Sequence, residues 1–221
     1  MTERVWLTAK NMSVLMGCDH IRHRERKLRL FACACAMNLT PWMTHPKACQ
    51  AIERSYQFAD GKLTRQTLAK WYRTLNELRQ GVALADEERD PAAIAHWAAR
   101  FTCLDSGDSP HANAWLTLVS YPAAFDLDFI DSMRQWGPKA LRDIFANPFR
   151  PVEFDPAWRT STAVALAKGM YGSRDFSPMP ILADALQDAG CDSDDILAHC
   201  RDAKPAHVRG CWVIDLVLGK A

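Results

Sequence analysis

The stretch Leu28–Leu39, LRLFACACAMNL, decides the fold class. It is apolar nearly all round, the pattern of a helix buried on every side, and it is too short to cross a bilayer. Cys33 and Cys35 within it read as reduced thiols packed as small hydrophobes. Outward from this run the same helical punctuation recurs: a cap residue, often followed by Pro, opens a segment and Gly closes it. Pro46 opens a helix with Ala48, Ile52, Tyr56 and Ala59 on one face and Gly61 beyond its end. Thr64 caps another whose stripe is Leu68, Trp71, Tyr72, Leu75 and Leu78, closed by Gly81. Asp90-Pro91 starts a third, through Ile94, Trp97, Ala98 and Phe101. Asp105–Pro110 (DSGDSP) reads as the clearest loop. Ser109-Pro110 then caps a helix through Trp115, Leu116 and Val119 that breaks at Tyr121-Pro122.

The second half continues the pattern. A helical stretch from Leu127 to Phe145 is expected to break at Gly137-Pro138, where proline removes a donor and restricts its predecessor. Asn147–Pro151 must be extended, with Arg150 free to pin it to a carboxylate such as Asp155 or to meet a ligand. Helices follow over Ser161–Tyr171, from Ser177-Pro178 with Ile181, Leu182, Ala185 and Leu186 inward, and over Ser193–Arg201, capped by Asp192 and Asp195. The last segment, Val208–Leu218, fits a helix, with a strand as runner-up because of its β-branched residues. No alternating strand pair joined by a tight turn occurs. The fold class expected is all-α: an irregular helical bundle or short α-solenoid of roughly nine to eleven helices, the bundle preferred for want of a repeat period. The loop at Asp105–Pro110 suggests an N-terminal part, 1–104, and a C-terminal part, 111–221, if the chain is not one continuous domain.

Composition narrows function. With 48% hydrophobic and 24% charged residues the chain suits a packed globule. A net charge of +1 supplies no global field for nucleic acid or an anionic membrane. MTERVWLTAK has no apolar run behind its charges, so no signal peptide is expected, and no segment is apolar enough to span a membrane. A cytoplasmic setting follows as the expectation, in which the eight cysteines are thiols or metal ligands rather than a disulfide framework.

Three constellations can carry chemistry. Cys191, His199, Cys200, His207 and Cys211 crowd one short stretch, and zinc takes four such ligands in a tetrahedron. If 208–218 is helical, His207 and Cys211 lie four residues apart on one face. Adjacent His199 and Cys200 cannot easily both face one ion, and no C-x₂-C knuckle is present, so buried thiols beside Trp212 are the competing reading. Cys200 or Cys211 could instead be a nucleophile with His199 or His207 as base, which requires the pair to meet in an electropositive, partly exposed site. Near the N-terminus, HIRHRERKLR (His20–Arg29) places Arg22, Arg26 and Arg29 on one helical face with Lys27 nearby, able to contact phosphates of nucleic acid unless it is a solvated face. Asp192, Asp194 and Asp195 suit a helix N-terminus better than a calcium loop. No phosphate-binding glycine loop, H-E-x-x-H or G-x-S-x-G motif occurs.

RKLRLFACAC (Arg26–Cys35), LRDIFANPFRPV (Leu141–Val152), DPAW (Asp155–Trp158), PILADALQDAGCD (Pro180–Asp192) and DILAHCR…HVRGCWVIDLVLGK (Asp195–Lys220) together resemble a planctomycete-type family of helical proteins to which no activity is assigned. The resemblance implies a bacterial cytoplasmic protein of helical architecture and transfers no catalytic residue. Abundant Trp (8) and Met (8) without catalytic motifs favours a non-catalytic protein-interaction module or accessory subunit with a protein partner. The alternatives are a metal-stapled or nucleic-acid-associated helical protein and, last, a Cys-dependent enzyme.

Overall fold

The computed structural model describes residues 1–79, 90–104, 124–202 and 206–220, without the side chains of Arg22 and Arg79. Among the described residues there are twelve α-helices and no strand. They are α1 (Glu3–Thr8), α2 (Met12–Met16), α3 (Asp19–Arg22), α4 (Glu25–Met37), α5 (Pro46–Ala59), α6 (Arg65–Arg79), α7 (Pro91–Thr102), α8 (Leu127–Phe145), α9 (Ser161–Ser173), α10 (Met179–Asp188), α11 (Asp194–Arg201) and α12 (Trp212–Leu218). Short 3₁₀ turns cover Thr40–Trp42 and Pro156–Trp158. The fold is an all-α bundle, as the capping pattern predicts, and no helix among the described residues is long and apolar enough to cross a membrane. The expected loop at 105–110, the helix after it and the Gly81 stop lie outside the described residues.

The chain forms two compact units, Lys10–Gly137 and Met1–Ala9 with Pro138–Ala221. The division therefore falls within α8, and the first nine residues belong with the C-terminal half. In the first of these units α4 is the centre. Leu30, Phe31, Ala32, Cys33, Cys35 and Ala36 are all fully buried, and α5 and α7 pack on it. Small residues let the helices approach: Ala48 and Ala51 on α5, Ala95, Ala98 and Ala99 on α7. Arg29 places a charge inside this core. It donates to the carbonyls of Thr102 and Leu104, the open C-terminal end of α7, and lies over the Phe58 ring.

The other unit packs α9 on α10 and α12, and α11 on α10 and α12. Thr160 caps α9 by accepting from the Ala163 amide. On α10 the buried stripe is Met179, Leu182, Ala183 and Leu186, an i, i+3, i+4, i+7 face. Ile181, expected inward, is instead 58% exposed.

Other expectations are corrected. α8 continues through Gly137-Pro138, because both residues are buried and a single missing amide, costing about 3 kcal/mol, is outweighed by the packed apolar positions on either side. The helix after Asp192 takes Ser193 at its N-cap, with no side-chain capping bond. α12 begins at Trp212, not Val208, because Gly210 turns the chain at φ 104, a conformation only glycine adopts freely. Arg150 pairs with Glu3 rather than Asp155.

α8 ends on Ala146 at φ 58, a left-handed residue whose amide donates to the Arg142 carbonyl at 2.9 Å. Glycine usually fills this position. Ala146→Gly is expected to raise stability by about 1 kcal/mol, read as a higher urea midpoint; a lower midpoint would contradict the left-handed ending.

Candidate metal centre

Four side chains meet at one point in the C-terminal unit: Asp143, His199, His207 and Cys211. Each arrives from a different kind of local structure. Asp143 sits in the last turn of α8, on the same side as buried Ala140 and Ile144. His199 lies in the last turn of α11, and His207 is in the segment that follows. Cys211 closes the Val208–Cys211 turn, its amide donating to the Val208 carbonyl at 2.9 Å, and stands at the N-cap of α12. The Gly210 turn thus brings His207 and Cys211 together without a shared helical face: Cys211 Sγ is 4.0 Å from His207 Nδ1.

The donor atoms converge closely. His207 Nδ1 is 2.8 Å from Asp143 Oδ1, His199 Nε2 is 3.1 Å from the same oxygen, and His199 Nε2 is 3.2 Å from Cys211 Sγ. One atom from each residue lies within 4.8 Å of all the others. A tetrahedral zinc ion separates its nitrogen and oxygen donors by about 3.3 Å and places sulfur about 3.6 Å from them, values that the observed distances bracket. The cluster is largely shielded from solvent. Asp143 and Cys211 are buried, the side chains of His199 and His207 are 15% and 9% exposed, and Trp212 packs on His199 at 5.0 Å between ring centroids.

Supporting bonds hold these side chains in place. Asp143 Oδ2 accepts from the Val208 amide at 2.9 Å, which leaves Oδ1 for the centre. Burial alone would raise the Asp143 carboxyl, but the bonds from His199 and His207 outweigh it and hold the group below the usual carboxylate range. Cys211 moves the opposite way, pushed well above the ordinary thiol value by burial and by the Asp143 charge. A metal held by these residues would supply the positive charge that favours its thiolate. His207 Nε2 is buried without a partner among the described residues in either tautomer, so it does not distinguish a proton from a metal on Nδ1.

The ring orientations in this cluster differ from those of a catalytic triad. A relaying imidazole uses one nitrogen toward the acid and the other toward the nucleophile. Here each ring turns a single nitrogen toward both the carboxylate and the sulfur: Nε2 of His199 and Nδ1 of His207. Ligands of a shared ion point this way.

Of the five residues singled out from sequence, His199, His207 and Cys211 come together while Cys191 and Cys200 do not join them. Those two thiols belong to the apolar core with Leu186, Ile196 and Val213. Burial, then Cys191 and Asp143, pushes Cys200 up to about 12 and disfavours its thiolate. Adjacent residues on a helix diverge by about 100°, so His199 facing the centre turns Cys200 away. Sequence reading missed Asp143, 64 residues before His207. The available signal was an acidic residue on the apolar face that Ala140, Leu141 and Ile144 define.

Within the basic stretch the described side chains divide between the core and the surface. Arg29 is buried on backbone carbonyls, and Arg26 lies 3.7 Å from Asp60. Lys27 is half-buried, and the Arg22 side chain lies outside the described residues. The fold and this cluster define an all-α protein with a buried four-residue candidate metal centre. No family model, curated relative or solved structure matches the chain, so no residue role is carried over from a known protein.

Cys49 is exposed, and the other seven thiols are buried. In the native protein Cys49 is expected to be the single thiol that reacts rapidly with an aqueous disulfide reagent, and Cys49→Ser should abolish the fast phase. Rapid modification of Cys211 would contradict the closed geometry.

Proposed function

We propose that the C-terminal unit is a zinc-stapled helical module in which Asp143, His199, His207 and Cys211 bind one ion. The observation that carries this reading is the convergence of two imidazole nitrogens, a carboxylate oxygen and a thiol sulfur on one buried point, each ring presenting a single nitrogen to it. Four mixed nitrogen, oxygen and sulfur donors suit zinc over magnesium or calcium, which take oxygen ligands in greater number. Four protein ligands also fill the coordination shell. Catalytic zinc sites keep one position for water or substrate, whereas closed sites hold structure together.

The ion would join the end of α8 to the end of α11, the Gly210 turn and the start of α12. Three of these elements are short, and α12 spans only Trp212–Leu218. At free zinc about 1,000-fold above the dissociation constant, binding adds about 4 kcal/mol to the stability of such a unit. On this reading the chain is a non-catalytic interaction or accessory module, and the centre stabilises the surface it presents rather than reacting.

Protein purified without chelator should carry one zinc per chain by elemental analysis, and cobalt substitution should give thiolate-to-metal charge transfer with the strong visible bands of a tetrahedral site. Cys211→Ser should remove the charge-transfer band, and His199→Gln or Asp143→Asn should lower occupancy. Uptake below about a tenth of an equivalent by the wild type would sink the proposal.

A further inference from the structure

The proposed centre depends on where α8 stops, and the opposite end of the chain holds that stop. Asp143 lies in the final helical turn, where the last carbonyls have no intrahelical donor and the helix tends to fray. The turn also ends in a strained residue, Ala146 at φ 58, a conformation that persists only where surrounding structure imposes it.

α1 supplies that structure. Trp6, 1% exposed, donates its indole N–H to the Ala146 carbonyl at 3.1 Å. Arg142, the residue before Asp143, reaches the other way. Its Nε donates to the Trp6 carbonyl at 2.8 Å and its Nη2 to the Ala9 carbonyl at 2.6 Å, while Nη1 donates back to Pro138 at 3.3 Å. Glu3 accepts from Asn147 Nδ2 at 2.7 Å and pairs with Arg150. These ties bracket Asp143 on both sides, on Arg142 and on Ala146 to Arg150.

Resting on the metal reading, we infer that Met1–Ala9 is a clamp that sets the affinity of the centre by fixing the turn that carries Asp143, with Trp6 and Arg142 as positioning residues. Neither side chain is a ligand. Groups that only orient a ligand are commonly worth about 10- to 100-fold in metal affinity. Linkage makes the effect reciprocal: an ion bound at the centre holds α1 in place as much as α1 favours the ion.

The test uses the full chain and cobalt in competition with a chelator. Trp6→Phe keeps a ring in the core but removes the donor to Ala146, and Arg142→Lys removes the fork. Each is expected to weaken cobalt binding about 10-fold or more while the thiolate charge-transfer band persists. Leu182→Ala, on α10, should lower stability yet leave affinity unchanged, which separates positioning from general loosening. Variants that bind as tightly as the wild type would overturn the clamp. Amide exchange across residues 3–9 of the wild type needs no variant: cobalt should slow it, and equal exchange with and without cobalt would overturn the clamp too. A wild type that takes up no cobalt removes the metal reading itself, an outcome distinct from tight binding that ignores α1.

Discussion

A carboxylate fully removed from water must be compensated, and the C-terminal unit is arranged around that requirement at Asp143. Placing the charge on the apolar side of α8 would be destabilising by several kcal/mol if it stood alone. It does not stand alone. One oxygen takes the Val208 amide, and the other is approached by His199 and His207, with Cys211 beside them. The same carboxylate thus draws in the segment before α12 through both a backbone and a side-chain contact, and so specifies how the last part of the chain returns to α8.

This arrangement explains features that otherwise look unrelated. Gly210 is required because the chain must reverse between His207 and Cys211. Trp212 and Val213 follow at once, so the turn that delivers the sulfur also starts the helix that seals it from water. Ala146 tolerates its left-handed backbone because α1 is bonded to that end of α8. The Lys10–Gly137 unit has its own polar solution: Arg29 closes the end of α7 from within the core, a structural use of a cation that a sequence pattern reads as surface charge.

Much of this was legible from local chemistry. Pro46 and Asp90-Pro91 begin helices where capping predicts, because caps are satisfied within a few residues. The errors arose where distant packing decides. Pro138 sits inside α8 because burial on both flanks outweighs its local penalty. Ile181 is exposed because the helix chose the neighbouring stripe, which periodicity alone could not rank. Three of the four members of the candidate centre were visible as His and Cys spacing, but spacing could not separate Cys211 from Cys191 and Cys200. The fourth member, Asp143, was hidden because a single carboxylate far away in sequence carries no spacing signal.

X-ray absorption at the zinc edge of the zinc-loaded full chain tests the proposed coordination most directly. The geometry predicts one sulfur at about 2.3 Å and three nitrogen or oxygen neighbours at about 2.0–2.1 Å, with imidazole scattering from two rings. A shell with no sulfur, or with two, would contradict it: the first would remove Cys211 from the centre, and the second would return Cys191 or Cys200 to it.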